Sequence, residues 1–250
     1  QSITTGVVDG WVDIHCHALP GVDDGAADIE TSLAMLRNAA EEGLQQVVLT
    51  PHYQANHEPD QLRLHEQVFA ELVSAVAAAG LPISLHLGVE VGFRFGLERV
   101  AMDPAARLAG GSHVLVDLPP GPLSPGLEQA FFALRTAGWR PILAHPERHR
   151  ELARNPERIQ RLVNAGSLVG QFGRRAMATA QLLIERGWAD FVSSDGHDLT
   201  KRPMSVRVAS ERLVALVGSA RTYQLLVENP TCVMSGEQIE PYRPQRMKDD

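Results

Sequence analysis

Residues Trp11–Gly25 read WVDIHCHALPGVDDG. The run Trp11-Val12-Asp13-Ile14 starts as a short β-strand and leads straight into His15-Cys16-His17. Alternate side chains of a strand share a face, so His15 and His17 are predicted to point the same way, about 7 Å apart. Cys16 between them points to the other face and reads as a small core residue. The loop that follows brings Asp23 and Asp24 back beside the pair. Two imidazoles on one rigid edge can grip one metal ion, so the reading turns on whether later strands end in further ligands.

Working outward, Asp28 is a suitable N-cap, and Ile29, Leu33, Leu36 and Ala40 recur at helical spacing up to Gly43. Strands are predicted at Gln46–Thr50, Ile83–Val89, Ser112–Leu118, Pro141–Ala144, Ser167–Phe172 and Ala189–Ser194. Helices are predicted at Gln61–Ala79, Leu127–Ala137, Pro156–Ala165, Arg174–Arg186, Ser205–Val217 and Ala220–Val227. The tail from Pro230 to Asp250 is polar, contains proline, and is expected to be partly disordered. Strands alternating with helices imply a parallel sheet whose right-handed crossovers bring every strand's C-terminal end to one rim. No linker divides the chain, so one domain over residues 1–250 is expected, with its core at about 11–228.

Metal-competent side chains recur where those strands end. His15 and His17 follow the first strand, His52 the second, Glu90 ends the third, Asp117 the fourth, His145 follows the fifth, and Asp195 and His197 the seventh. Singly each has a plainer reading, as a turn residue, a turn cap or a salt-bridged carboxylate. Together, and with Asp24, they exceed the needs of one tetrahedral site, and two or three divalent ions sharing carboxylates fit better. Imidazole and carboxylate without clustered thiolate suit manganese, iron or zinc. His57, His65, His86, His113 and His149 show no such placement and read as surface or packing histidines.

The totals narrow the function. A length of 250 residues suits a single α/β barrel. A net charge of −7 disfavours nucleic acid as a partner, so an anionic substrate must meet local positive charge. Two cysteines are too few for a disulfide framework. With no long apolar run and no basic-then-apolar start in QSITTG, a soluble, cytoplasmic protein without membrane insertion is the expectation. A cysteine-dependent phosphatase needs arginine six residues after its cysteine; Cys16 is followed there by Val22 and Cys232 by Gln238. With Lys201 and Lys248 the only lysines, there is no GxxxxGK[ST] phosphate loop.

The stretches DIHCHALPGVDDG, LTPHY, LGVEV, LAHPERH and SSDGHDL resemble the PHP (polymerase and histidinol phosphatase) superfamily, and within it the bacterial manganese-dependent protein tyrosine phosphatases of capsule and exopolysaccharide biosynthesis. The resemblance covers roughly residues 11–228. It implies a distorted seven-stranded (β/α)7 TIM-like barrel with a three-metal site. On the matching positions His15, His17, Glu90 and Asp195 would hold one ion, Glu90, Asp117 and His145 a second, and Asp24, His52 and His197 a third. Arg148 and Arg202 match the phosphate-binding arginines. Two departures stand out. Asp117 replaces the usual glutamate and is one methylene shorter, and the region of the sixth strand near Ala165-Gly166-Ser167 is shorter than the pattern implies.

The implied activity is hydrolysis of phosphotyrosine by a metal-bridging hydroxide. A metal lowers the pKa of bound water from about 15.7 toward ~7, and the arginine forks hold the phosphoryl oxygens. The implied partner is a tyrosine-phosphorylated protein, such as a bacterial tyrosine kinase of polysaccharide export. The alternatives are a PHP-type phosphatase acting on a small molecule such as histidinol phosphate, a phosphodiesterase, or a non-catalytic metal-binding module.

Overall fold

A computed structural model describes residues 10–53, 60–119, 121–123, 126–149, 160–239 and 242. Among these described residues nine strands are seen: β1 (Trp11–Cys16), β2 (Leu44–Leu49), β3 (His52–Tyr53), β4 (Ser84–Leu87), β5 (Glu90–Gly92), β6 (His113–Asp117), β7 (Arg140–Ala144), β8 (Gln160–Asn164) and β9 (Phe191–Ser193). Eight α-helical segments accompany them: α1 (Ile29–Glu41), α2 (Asp60–Ala78), α3 (Leu97–Val100), α4 (Leu127–Thr136), α5 (Ala165–Leu168), α6 (Gly173–Glu185), α7 (Arg207–Tyr223) and α8 (Asn229–Ser235). Every described strand pair is parallel. The strands form two sheets, β1-β2-β4 and β3-β5-β6-β7-β8-β9.

The break between the sheets has a local cause. Pro51, which has no N–H to give, separates β2 from β3, and Gly88-Val89 separates β4 from β5. Hydrogen bonds cross the gap, from Gly88 N to Leu49 O at 2.9 Å and from Glu90 N to Pro51 O at 3.0 Å. Gly88 suits this close approach, since a Cβ would stand 3.1 Å from Leu108 Cα and the neighbour would have to give by a few tenths of an ångström. At the other side, Asp195 N donates to His15 O at 3.0 Å and His17 N to Gly196 O at 2.8 Å, joining the first strand to the residues after β9.

The register between β1 and β2 shifts between Asp13 and Cys16. That irregularity re-aims the strand's end. Val12 and Ile14 pack with Leu115, Ile142, Leu162 and Phe191 in one cluster, while Trp11 and Cys16 pack among residues of α1, α6 and α7 in another. His15 and His17 therefore lie on the side away from Cys16, as the alternation predicts. Asp28 caps α1 through its side chain, accepting from Thr31 N at 2.8 Å.

Two predicted elements and the start of the predicted tail differ. Of the helix expected at Pro156–Ala165, residues 156–159 lie outside the described residues, and Gln160–Asn164 form β8 between β7 and β9. A five-residue run buried on both faces carries no period that separates strand from helix. The strand expected at Ser167–Phe172 is instead the helical turn α5, capped by Asn164, followed by Gly170 at φ +86°. The sheet thus keeps a strand where the sequence pattern looked clipped. The two helices expected at 205–217 and 220–227 are present: α7 is broken at Gly218, non-helical at φ +78°, and its second part runs through a π-helical turn, Gln224–Glu228, into α8. The predicted tail therefore begins as helix with Val233 fully buried; residues 240–241 and 243–250 lie outside the described residues.

Candidate metal centre

The strand ends converge. His15 and His17 have ring centroids 5.2 Å apart, and His17 lies 4.5 Å from His52 and 3.8 Å from His197. Glu90 sits among four imidazoles. Its Oε1 is 2.9 Å from His145 Nε2 and 3.3 Å from His15 Nε2; its Oε2 is 2.9 Å from His52 Nδ1 and 3.6 Å from His17 Nε2. Asp195 Oδ1 lies 3.4 Å from His15 Nε2 and 3.6 Å from His17 Nε2. Asp24, though exposed, brings Oδ1 to 3.3 Å from His52 and 3.6 Å from His197.

Three sets offer ligand atoms all within 4.8 Å of one another: His17, Asp24, His52 and His197; His15, His17 and Asp195; and His15, Glu90 and His145. Eight of the nine sequence-predicted ligands fall in these sets. Asp117 does not, although its Oδ1 is 3.5 Å from His145 Nε2. His15 Nε2 and His17 Nε2 are buried without a well-formed hydrogen bond. Buried polar atoms are otherwise almost always paired, so orphaned imidazole nitrogens facing carboxylates fit a cation between them.

The family model for capsular polysaccharide synthesis, CpsB/CapC, matches residues 11–235. The chain belongs to the CpsB/CapC family. It is 30% identical to the tyrosine-protein phosphatase YwqE of Bacillus subtilis over 246 residues, covering 95% of this chain and 96% of that protein. It is 27% identical to the putative tyrosine-protein phosphatase CapC of Staphylococcus aureus, covering 93% and 94%. A solved structure from the pair YwqE of Bacillus subtilis and CpsB of Streptococcus pneumoniae, described as unique metal-dependent tyrosine phosphatases, superposes with a TM-score of 0.84 at 29% identity, covering 95% of this chain and all of that one.

In this CpsB/CapC member the ligand candidates are held by residues outside the predicted ligand list. His15 Nδ1 is paired with Thr50 Oγ1 at 2.7 Å. His17 Nδ1 is paired with Asp23 Oδ2 at 2.7 Å, and the same oxygen accepts from His52 N at 3.0 Å. Fixing one ring nitrogen aims the other. Asn164, at the end of the misread strand β8, donates from Nδ2 to Asp195 Oδ2 at 2.6 Å and accepts from Gly166 N at 2.7 Å. Only a correct strand assignment would have put Asn164 on the rim. His65 and His113 are buried and belong to none of the three ligand sets; His57 lies outside the described residues.

The two predicted arginines reach the same carboxylate. Arg148 NH2 and Arg202 NH2 donate to Asp195 Oδ2 at 2.9 and 2.8 Å. Asp195 thus turns one oxygen toward imidazoles and the other toward guanidiniums. Its burial favours the neutral acid, but the charges of His15, His145, His17 and Arg202 outweigh that and hold it well below the usual carboxylate range. Burial likewise opposes ionisation of Glu90, and surrounding imidazoles overcome it. His52 is pushed up to about 9: burial works against its charge, while its hydrogen bond to Glu90 and the charges of Glu90, Asp23 and Asp24 prevail. Asp117 moves the other way, raised by burial and by Glu90.

Proposed function

We propose that the chain is a metal-dependent phosphotyrosine-protein phosphatase serving capsule or exopolysaccharide synthesis. The observation that carries this is the conjunction of three overlapping ligand sets with two arginines converging on one of their members, Asp195. The match to relatives named tyrosine-protein phosphatases over nearly the whole chain supports the substrate class. We further read the fold as a distorted seven-stranded (β/α)7 barrel of the PHP superfamily, taking β2 with β3 and β4 with β5 as single interrupted strands, and the chain as one domain. We expect two or three divalent ions, manganese foremost. No helix among the described residues is long and apolar enough to cross a membrane. A cytoplasmic location, and a phosphorylated tyrosine kinase of polysaccharide export as partner, complete the reading.

On this reading His15, His17, Glu90 and Asp195 hold one ion, Glu90, Asp117 and His145 a second, and Asp24, His52 and His197 a third. Bound divalent ions supply water acidified toward a pKa of ~7 and positive charge against the phosphoryl oxygens. The chain's own part is to fix the ligands from behind, through Thr50 and Asp23, and to present two guanidinium forks beside them. Arg148 and Arg202 bring the positive charge that a chain of net −7 otherwise lacks, and orient a tetrahedral dianion by paired N–H donors. A tyrosinate leaving group, with a phenol pKa of ~10, departs without strong acid assistance.

The test is metal analysis of the purified protein with phosphotyrosine-peptide turnover before and after chelation, alongside histidinol phosphate and a phosphodiester. Turnover should favour the phosphotyrosine peptide, vanish on chelation and return with Mn²⁺. His15→Ala should lose metal and activity, whereas Cys16→Ser, on the far face, should keep both. An inactive Cys16→Ser beside an active His15→Ala would sink the metal reading.

A further inference from the structure

Phe172 belongs to none of the described core clusters, yet both arginines stand on it. The Arg148 guanidinium carbon is 4.5 Å from the Phe172 ring centroid and that of Arg202 is 5.7 Å away. The same two groups donate to Asp195 Oδ2. Each planar cation is therefore held twice, by a carboxylate oxygen and by a ring face.

The three residues come from three separate connections: after β7, before α6 and after β9. Their meeting is built into the backbone. Gly170 at φ +86° and Gly173 at φ +89° bracket the turn that carries Phe172. Gln171 N donates to Gly166 O at 2.9 Å, and the Gln171 side-chain amide donates to the carbonyl of Lys201, next to Arg202. A Cβ on Gly166 would fall 1.9 Å from Gln171 Oε1, so the Gln171 amide would have to swing out of its present place.

A free arginine side chain populates many rotamers, and an anion that must order it loses that entropy from its affinity. A ring face attracts the cation without accepting its in-plane hydrogen bonds, so it sets the guanidinium's orientation and leaves donors for a ligand. The geometry points to Phe172 as a positioning residue that holds Arg148 and Arg202 ready for a phosphoryl anion. This rests on the phosphate-binding role proposed above for the two arginines.

The test uses the full, manganese-loaded chain with inorganic phosphate as the probe, read by isothermal titration. Phosphotyrosine-peptide turnover, manganese per chain and melting temperature are measured beside it. Phe172→Ala weakens phosphate binding about tenfold, or ~1.4 kcal/mol, with manganese unchanged. Phe172→Leu, which keeps apolar bulk and loses the ring, weakens it as much, while Phe172→Tyr and Phe172→Trp stay within about threefold of the unsubstituted chain. In an Arg148→Ala/Arg202→Ala chain, Phe172→Ala adds nothing. Three results overturn the inference: Leu serving as well as the ring, an equal Phe172→Ala effect with and without the arginines, or loss of manganese from Phe172→Ala. If phosphate affinity follows the ring while phosphotyrosine is not turned over, the positioning role stands and the phosphatase reading fails. An unsubstituted chain that binds no phosphate overturns both.

Discussion

Asn164→Ala probes the joint between strand β8 and the candidate centre. Asn164 is buried and makes two side-chain hydrogen bonds, Nδ2 to Asp195 Oδ2 at 2.6 Å and Oδ1 from Gly166 N at 2.7 Å. The second is a helix N-cap, whose loss costs about 1 kcal/mol. The first is a bond to a charged group, contributing about 1.5–3 kcal/mol. Gly166 N also stays buried without a partner, so the total loss is about 3 kcal/mol. For a chain of this size that lowers the melting temperature by about 6–12 °C. Asn164→Asp separates the two effects, because it keeps the acceptor for Gly166 N but sets a second carboxylate against Asp195. It should lose activity at least as severely as the alanine variant while retaining the cap. Thermal and urea unfolding, with phosphotyrosine-peptide turnover on the same samples, read both. A melting temperature within about 2 °C of the unsubstituted chain for Asn164→Ala, or full activity in Asn164→Asp, would refute the assignment of Asn164 as the prop of Asp195.

Other expectations follow from the same geometry. Arg148→Ala and Arg202→Ala should each lower kcat/KM by about 10²–10³, the range for removing one charge-stabilising donor, and steady-state kinetics within twofold of the unsubstituted chain would remove that arginine from the site. Gly25→Ala places a Cβ 1.9 Å from the carbonyl oxygen of His17, so the Asp23–Gly25 loop must move. A stability loss of about 1–3 kcal/mol is expected, together with fewer metal ions retained after dialysis. Asp190 is raised to about 6, first by burial, against the opposing hydrogen bond from Arg161 N and the charges of Arg221 and Arg161. A carboxylate with a raised folded pKa favours the folded state fully below its unfolded value, and that advantage is lost as pH rises from 3.8 through about 6. The difference is about 3 kcal/mol at 1.36 kcal/mol per pKa unit, and Asp190→Asn should flatten the stability profile across that window. An unchanged slope would show that Asp190 does not titrate there.

Much of the fold was legible because buried strands bounded by glycine and proline leave a clear mark. Residues 11–16, 113–117 and 140–144 are such strands, and the helices at 29–41, 60–78 and 127–136 carry their period openly. Gln160–Asn164 did not, because Arg161 and Asn164 are polar yet buried, and their partners are far along the chain: Arg161 NH1 reaches Trp188 O, and Asn164 reaches Asp195. The ligand candidates were legible because His, Asp and Glu at strand ends are few and conspicuous. Thr50 and Asn164, which hold His15 and Asp195, are ordinary in a sequence and become informative only when distances are known, while Asp23 could be placed beside the pair but not assigned its bond to His17.

At Asp195-Gly196-His197 the left-handed residue is the aspartate and not the glycine. Among the described residues, non-glycine side chains adopt positive φ at Ala109, His145 and Asp195, and the last two belong to the site. That conformation costs an L-residue roughly 1–2 kcal/mol. A plain turn would place its left-handed residue on the adjacent glycine. Here Gly196 is not left-handed; it is small because Met204 packs on it, its Cβ position lying 2.4 Å from Met204 Cγ and 2.8 Å from Met204 Cα. The strain therefore falls on Asp195 while a residue that could absorb it stands next door. Glycine at 195 would relax the backbone and delete the carboxylate that faces imidazoles with one oxygen and two arginines with the other. A left-handed aspartate beside an available glycine is what the proposed ligand role of Asp195 would require of the backbone.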